Sequence, residues 1–229
     1  MDILFANISN SIALFVKYHR YYLRGTGITL LVSFFGVFLG VFLGLILALM
    51  NLSKNKILKG ISRSYINFVR GTPLLVQVFI VYYGLPLVGF DFMPDLWLVI
   101  IAVSFNSAAY IAEIVRGGIQ SVEKGQTEAA RSLGMTQRMA MRYVIIPQAL
   151  KNILPALGNE FVILIKESAI ISVVGIHDLM YQTDTIRGIS YRPFSPLVFA
   201  AIIYFIITFS LSSLLKVFER RLRAGDQSI

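Results

Sequence analysis

Residues 27–50 read GITLLVSFFGVFLGVFLGLILALM, a run of 24 residues without a charged side chain. A helix needs about 20 apolar residues to cross the hydrocarbon core of a bilayer, so this stretch spans it unaided. Gly36, Gly40 and Gly44 recur every four residues and fall on one stripe of that helix. Missing side chains on one stripe let helix backbones approach closely where no water drives association. Lining a pore is the alternative use of the same stripe.

Four further stretches have this character. Residues 73–90 and 194–215 hold no Lys, Arg or Glu and no internal Asp. Residues 95–115 are apolar except at Asp95, Asn106 and Glu113, and 153–176 except at Asn159, Glu160, Lys166 and Glu167. The whole chain agrees: of 229 residues, 56% are hydrophobic and 14% charged. Soluble domains carry about 25% charged residues. The chain is therefore expected to be an all-α integral membrane protein of five transmembrane helices, with residues 1–229 forming one membrane domain and no second soluble one. Residues 1–16 are expected to lie in the interface as an amphipathic helix, with Tyr18, Tyr21 and Tyr22 at that level.

The absence of cysteine excludes disulfides, thiolate-bound metals and thiol chemistry. His19 and His177 lie in separate segments with no acidic cluster beside them and read as surface or interfacial residues. No metal or cofactor is expected.

The net charge of +9 is explained by where the basic residues fall. Fourteen lie on one side: Lys54, Lys56, Lys59 and Arg63 after span one, Arg116, Lys124, Arg131, Arg138, Arg142 and Lys151 after span three, and Lys216, Arg220, Arg221 and Arg223 in the tail. Lys17, Arg20, Arg24, Arg187 and Arg192 make five on the other. Cytoplasmic loops carry the excess of Lys and Arg. The N-terminus is thus placed outside and the C-terminus in the cytoplasm. Topology accounts for the charge, and no nucleic-acid partner is expected.

The polar residues inside the spans carry the functional question. Gly71 breaks the helix before span two, and Pro73 suits a first turn with Thr72 as its cap. A helix start near the bilayer either marks a plain interfacial cap or offers N–H groups to a carboxylate in a cavity. Asn106, Tyr110 and Glu113 share a helix face, and Glu113 can pair with Arg116 three residues on. Glu160 and Glu167 are seven apart, hence on one face, with Lys166 adjacent. A charge at mid-membrane costs roughly 2.5–3.5 kcal/mol on insertion scales, so these groups need partners or water. Either they form a structural Glu–Lys pair, or they line a polar cavity for a charged or zwitterionic solute.

The long loop at about 116–151 also has structure in it. Lys124-Gly125-Gln126 reads as a turn, Thr127 as the cap of a short helix beginning Glu128-Ala129-Ala130, and Gly134 as its end. A second helix starts near Gln137, and Pro147 must kink or end it.

The run Glu128-Ala129-Ala130, three residues, Gly134, nine residues, then Val144-Ile145-Ile146-Pro147 resembles the EAA loop of ATP-binding-cassette importer permeases. Val144 and Ile146 stand where that loop has Ile and Leu, apolar swaps of similar size. Gly25 to Leu30, Arg70-Gly71-Thr72-Pro73-Leu74-Leu75-Val76-Gln77, Phe105 to Glu113, Gly158-Asn159-Glu160 and Lys166-Glu167-Ser168 resemble the polar amino acid branch. The resemblance runs over nearly the whole chain from about residue 20.

It implies one permease subunit of a type I importer, multi-pass in the bacterial plasma (inner) membrane. Its partners would be a second permease subunit, the same or similar, a cytoplasmic ATPase and an extracytoplasmic solute-binding protein. The coupling helix, carrying Glu128, Ala129, Ala130 and Gly134, would dock on the ATPase. Independently, the chain has no G-x-x-x-x-G-K-[ST] phosphate loop, so energy comes from another chain or from a gradient. The expected cargo is a polar, basic amino acid or glutamine. Intramembrane polarity offers Glu160 for an ammonium or basic side chain and Thr72 for the carboxylate, with Asn106, Lys166, Glu167 and Ser168 as further binding residues. Two other classes stay open: a gradient-driven transporter using Glu160 and Glu167 as proton carriers, and a membrane scaffold that moves nothing.

Overall fold

The computed structural model describes residues 2–224, with side chains described for 11–222. Those residues are helical without a strand: α1 (Asp2–Leu52), α2 (Lys56–Arg70), α3 (Leu74–Leu85), α4 (Asp95–Gln120), α5 (Lys124–Ser132), α6 (Gln137–Ala140), α7 (Ile146–Glu167), α8 (Leu179–Ser190) and α9 (Ser195–Ala224).

The glycine stripe sets the centre. α1 packs most extensively on α4. A Cβ on Gly44 would stand 2.7 Å from Ile111 Cγ2 and 2.9 Å from the Ala108 carbonyl, so only glycine lets the two rods meet here. Gly36 meets Val103 and Leu164, and Gly40 meets Ser107 and Ile111 in the same way. The facing stretch of α4 is itself small-sided, with Ala102, Ser107, Ala108, Ala109 and Ala112 fully buried. Helix packing is thus the use this stripe finds. Around α4 stand α1, α2, α3 and α7, with α8 on the N-terminal half of α1 near Gly25 and α9 on α7.

Three described segments are long and apolar enough to cross a membrane: Ser11–Leu52, Asp95–Gln120 and Ser195–Leu222. A fourth candidate is the pair Lys56–Arg70 and Leu74–Phe90, bent by 109° at its break. Residues 146–167 carry Lys151, Glu160, Lys166 and Glu167 and do not qualify on composition alone. Span two begins as read, near Pro73, but its helix gives way at Leu85 to a wide turn in which Gly89 takes φ +100°.

Several local expectations are corrected. Residues 2–16 are not a separate interfacial helix: they continue unbroken into α1, 51 residues long, or about 77 Å at the helical rise. A rod already committed to crossing the bilayer cannot lay its first turns flat in the interface. Met1 lies outside the described residues. Thr72 does not cap α3. Its hydroxyl donates backward to the Phe68 carbonyl at 2.9 Å, and Pro73 occupies the cap position. Lys124-Gly125-Gln126 is no turn but the first turn of α5, with Glu123 at its N-cap and Thr127 inside the helix. Pro147 does not end the helix before it. Residues 141–145 form a π-helical turn, which absorbs the missing donor and places Pro147 at the start of α7.

Candidate functional site

Gly71 and Pro73 interrupt the chain between α2 and α3, so the carbonyls of Val69 and Thr72 at the break lack the full set of helical partners. Gln77, one turn into α3, answers them. Its Nε2 lies 2.7 Å from the Val69 carbonyl, 3.0 Å from the Thr72 carbonyl and 2.9 Å from Thr72 Oγ1. Its Oε1 accepts from Asn106 Nδ2 at 2.9 Å. Thr72 and Asn106 are therefore brought together, with Gln77 as the link. Gln77 carries a signal in the sequence, as the lone amide in the otherwise apolar stretch 73–90.

On another face of α4 sits Glu160. It is 7% exposed, and Ser107 Oγ donates to its Oε1 at 3.1 Å. Ser107 is the second functional neighbour the sequence did not single out. Glu167, two turns further along α7, is exposed, as is Lys166. The acids share a stripe of α7 but not an environment: one is packed against α4, the other lies on the surface of the single chain. Ser168 is fully buried, donates to the Ile165 carbonyl at 3.0 Å and accepts from Ser33 Oγ at 3.4 Å. It ties α7 to α1.

Toward the basic end of the bundle, Glu113 is clamped. Arg116 Nε and Nη2 reach its two oxygens at 2.9 and 2.7 Å, the pairing expected from their spacing. Arg70 Nη1 approaches at 3.7 Å, with its guanidinium 5.5 Å from the Tyr110 ring centre.

The short helix α5 projects beyond this end. Glu128, Ala129 and Gly134 are exposed, whereas Ala130 is buried against the segment that follows. Gly134 ends the helix at φ +86°, where side chains are strained. Its N–H bonds to the Arg131 carbonyl at 3.0 Å and that of Met135 to Ala130 at 3.2 Å. These two bonds are those of a Schellman cap. Just before it Leu133 stands 82% exposed, an apolar tip that the sequence reading passed over.

At the opposite end, Asp178 caps α8, accepting from the Tyr181 N–H at 2.8 Å. It is wholly buried, and its Oδ2 has no hydrogen-bond partner among the described residues. Burial pushes this carboxyl up to about 7.

Residues 40–224 match the family model described as "Binding-protein-dependent transport system inner membrane component". The chain belongs to that family. Among curated relatives of this permease, the arginine transport system permease protein ArtQ of Bacillus subtilis is 40% identical over 205 residues, 89% of this chain and 93% of the relative. A putative glutamine transport system permease protein, GlnP of Rickettsia bellii, is 40% identical over 199 residues, 86% and 91% of the two chains. A solved amino acid ABC transporter "with histidines" is 52% identical and superposes with a TM-score of 0.85, covering 90% of this permease and 96% of that chain. The methionine transporter MetNI, 22% identical with a TM-score of 0.68, covering 91% and 96%, shares the fold. The permease is an inner-membrane component of an ABC transporter, a class in which an ATPase subunit and a partner permease complete the assembly.

Proposed function

We propose that this chain is the permease subunit of an ATP-driven importer of polar amino acids, arginine, lysine and histidine foremost, with glutamine as the alternative cargo. The membership established above supports the transport role, and the relatives named for arginine and glutamine transport support the cargo class. The observation that carries the basic cargo is Glu160, an acid held inside the bundle by one neutral hydroxyl among the described residues. A carboxylate so placed gains from a cation that arrives with its own desolvated charge. The Thr72–Gln77–Asn106 knot holds the helix break rigid, and the first N–H groups of α3, outside its own ladder, face the substrate carboxylate. Lys166 and Glu167, exposed on the single chain, face the path or the second subunit. Ser168 supports α7 from behind.

The rest of the reading follows the same logic. Five spans cross the membrane, residues 1–229 form one permease domain, and the basic side faces the cytoplasm. ATP is bound and hydrolysed by a separate subunit, and an extracytoplasmic binding protein delivers the solute. Closure of the ATPases draws the two α5 helices together and rocks the spans from inward to outward access. Hydrolysis returns them. No bond is made or broken in this chain.

The test is uptake of labelled arginine, lysine, histidine and glutamine by the complex reconstituted with its ATPase and binding protein. ATP-dependent uptake blocked by vanadate is expected. Uptake collapsed by an ionophore and indifferent to vanadate would instead establish the gradient-driven class, and no uptake of any of them would establish a scaffold.

A further inference from the structure

A cavity of about 470 Å³ opens where the ends of α1 and α4 meet the first turns of α2, lined chiefly by Asn51, Lys59, Arg63, Glu113, Arg116 and Gln120. It is separate from the polar groups assigned to transport. Glu113, its lining residue nearest to Asn106 along α4, is seven residues away, about 10 Å at the helical rise. Three cations face one carboxylate, and they are not equally engaged. Arg116 is committed to Glu113 on two nitrogens and to Gln120 Oε1 at 2.5 Å on the third. Arg63 makes one long bond, from Nε to Asn51 Oδ1 at 3.4 Å. The Lys59 ammonium makes no hydrogen bond or ion pair among the described residues, although Lys59 is half-buried. Two cations with hydrogen-bond donors to spare, Lys59 and Arg63, thus line this cavity, with Glu113 as the one carboxylate among its lining residues.

Basic pockets between helices on the cytoplasmic side suit anionic headgroups. We propose that this cavity binds the phosphate of an anionic phospholipid of the cytoplasmic leaflet, held by Lys59 and Arg63, with Asn51 orienting Arg63. The choice of leaflet rests on the orientation proposed above. The choice of a lipid over a soluble anion rests on the setting. Leu52, an exposed apolar side chain, lines the cavity and offers a surface on which an acyl chain would lie. The bound headgroup would splint the ends of α1, α2 and α4 immediately before the chain enters α5.

The test is native mass spectrometry of the assembled complex, stripped of lipid and then exposed to mixed micelles of phosphatidylglycerol and phosphatidylcholine. The wild type should retain phosphatidylglycerol selectively. Lys59→Gln with Arg63→Gln should lower that preference about twenty-five-fold, two surface cations at roughly fivefold each. Lys59→Arg with Arg63→Lys should keep it, and so should Lys54→Gln with Lys56→Gln, which lie outside the cavity. Should the neutral pair fail to assemble, the wild-type preference and the charge-keeping pair decide. No preference in the wild type, or an equal loss from the Lys54/Lys56 pair, would overturn the proposal. Displacement of the lipid by inorganic phosphate alone would overturn the lipid assignment in favour of a soluble anion.

Discussion

Ser107 on α4 donates its hydroxyl to Oε1 of Glu160 on α7 at 3.1 Å. One neutral donor positions this acid without cancelling its charge. Glu160→Gln keeps the acceptor and the packing while removing the charge. Losing a charge-assisted contact costs about 1.5–3 kcal/mol, or roughly ten- to a hundredfold. Arginine uptake by the reconstituted complex should fall by that factor in kcat/KM, and glutamine uptake by less. Unchanged arginine kinetics would remove Glu160 from the binding site.

Gln77 holds the break between α2 and α3 together. Gln77→Leu leaves the Val69 and Thr72 carbonyls and the Asn106 amide short of a partner at once. Each buried unpaired group costs about 1–3 kcal/mol. Thermal unfolding of the detergent-purified permease should drop clearly, with uptake lost in parallel. A melting temperature equal to wild type would show that the knot contributes nothing.

Gly44 allows α1 to touch α4. Gly44→Val drives a branched side chain into Ile111 and the Ala108 carbonyl. Overpacking of this kind costs about 1–3 kcal/mol. Gly60→Ala, inside α2 where a Cβ meets nothing within 4 Å, is the control and should be no less stable than wild type. Thermal unfolding of the two variants side by side checks both expectations.

Much of this was legible in the residues, and the boundary is physical. The glycine seam, the Glu113–Arg116 clamp and the Gly134 helix end each depend on spacing within one helix, so periodicity reveals them. Gln77 and Ser107 become functional neighbours only when α3 and α7 dock on α4. Nothing in its own helix marks Ser107, and Gln77 is marked only as a lone amide in an apolar stretch. The start of α5 was misread because Lys124-Gly125-Gln126 carries turn composition, while the docking of Ala130 on the π-turned segment extends the helix over it. The unbroken α1 escapes a reading by charge, because Lys17, Arg20 and Arg24 hold the uncharged run to Gly27 and beyond. Gly25 is the contact where α8 crosses, with the Asp178 carbonyl 2.8 Å from any Cβ built there.

Asp178 gives a pH signature. Burial holds its folded carboxyl near 7, against 3.8 in an ordinary setting. A raised folded value means that the native state keeps the proton longer than the unfolded chain. Its contribution to stability is therefore complete below about pH 4 and is lost as pH rises to about 7. Asp178→Asn keeps the cap on Tyr181 and supplies an N–H where the acid holds its proton. The variant's melting temperature should lose the part of the decline between these limits that the wild type owes to this group. A decline of equal size in both proteins would assign it to other groups.

The account turns on α5 carrying the nucleotide cycle of a partner into the bundle. The direct measurement is ATP-driven amino acid uptake by the assembled complex after residues 128–134 have been scrambled, with folding verified by an unchanged melting temperature of the permease alone. Abolished uptake in an intact permease is the result expected. Uptake at the wild-type rate would contradict it.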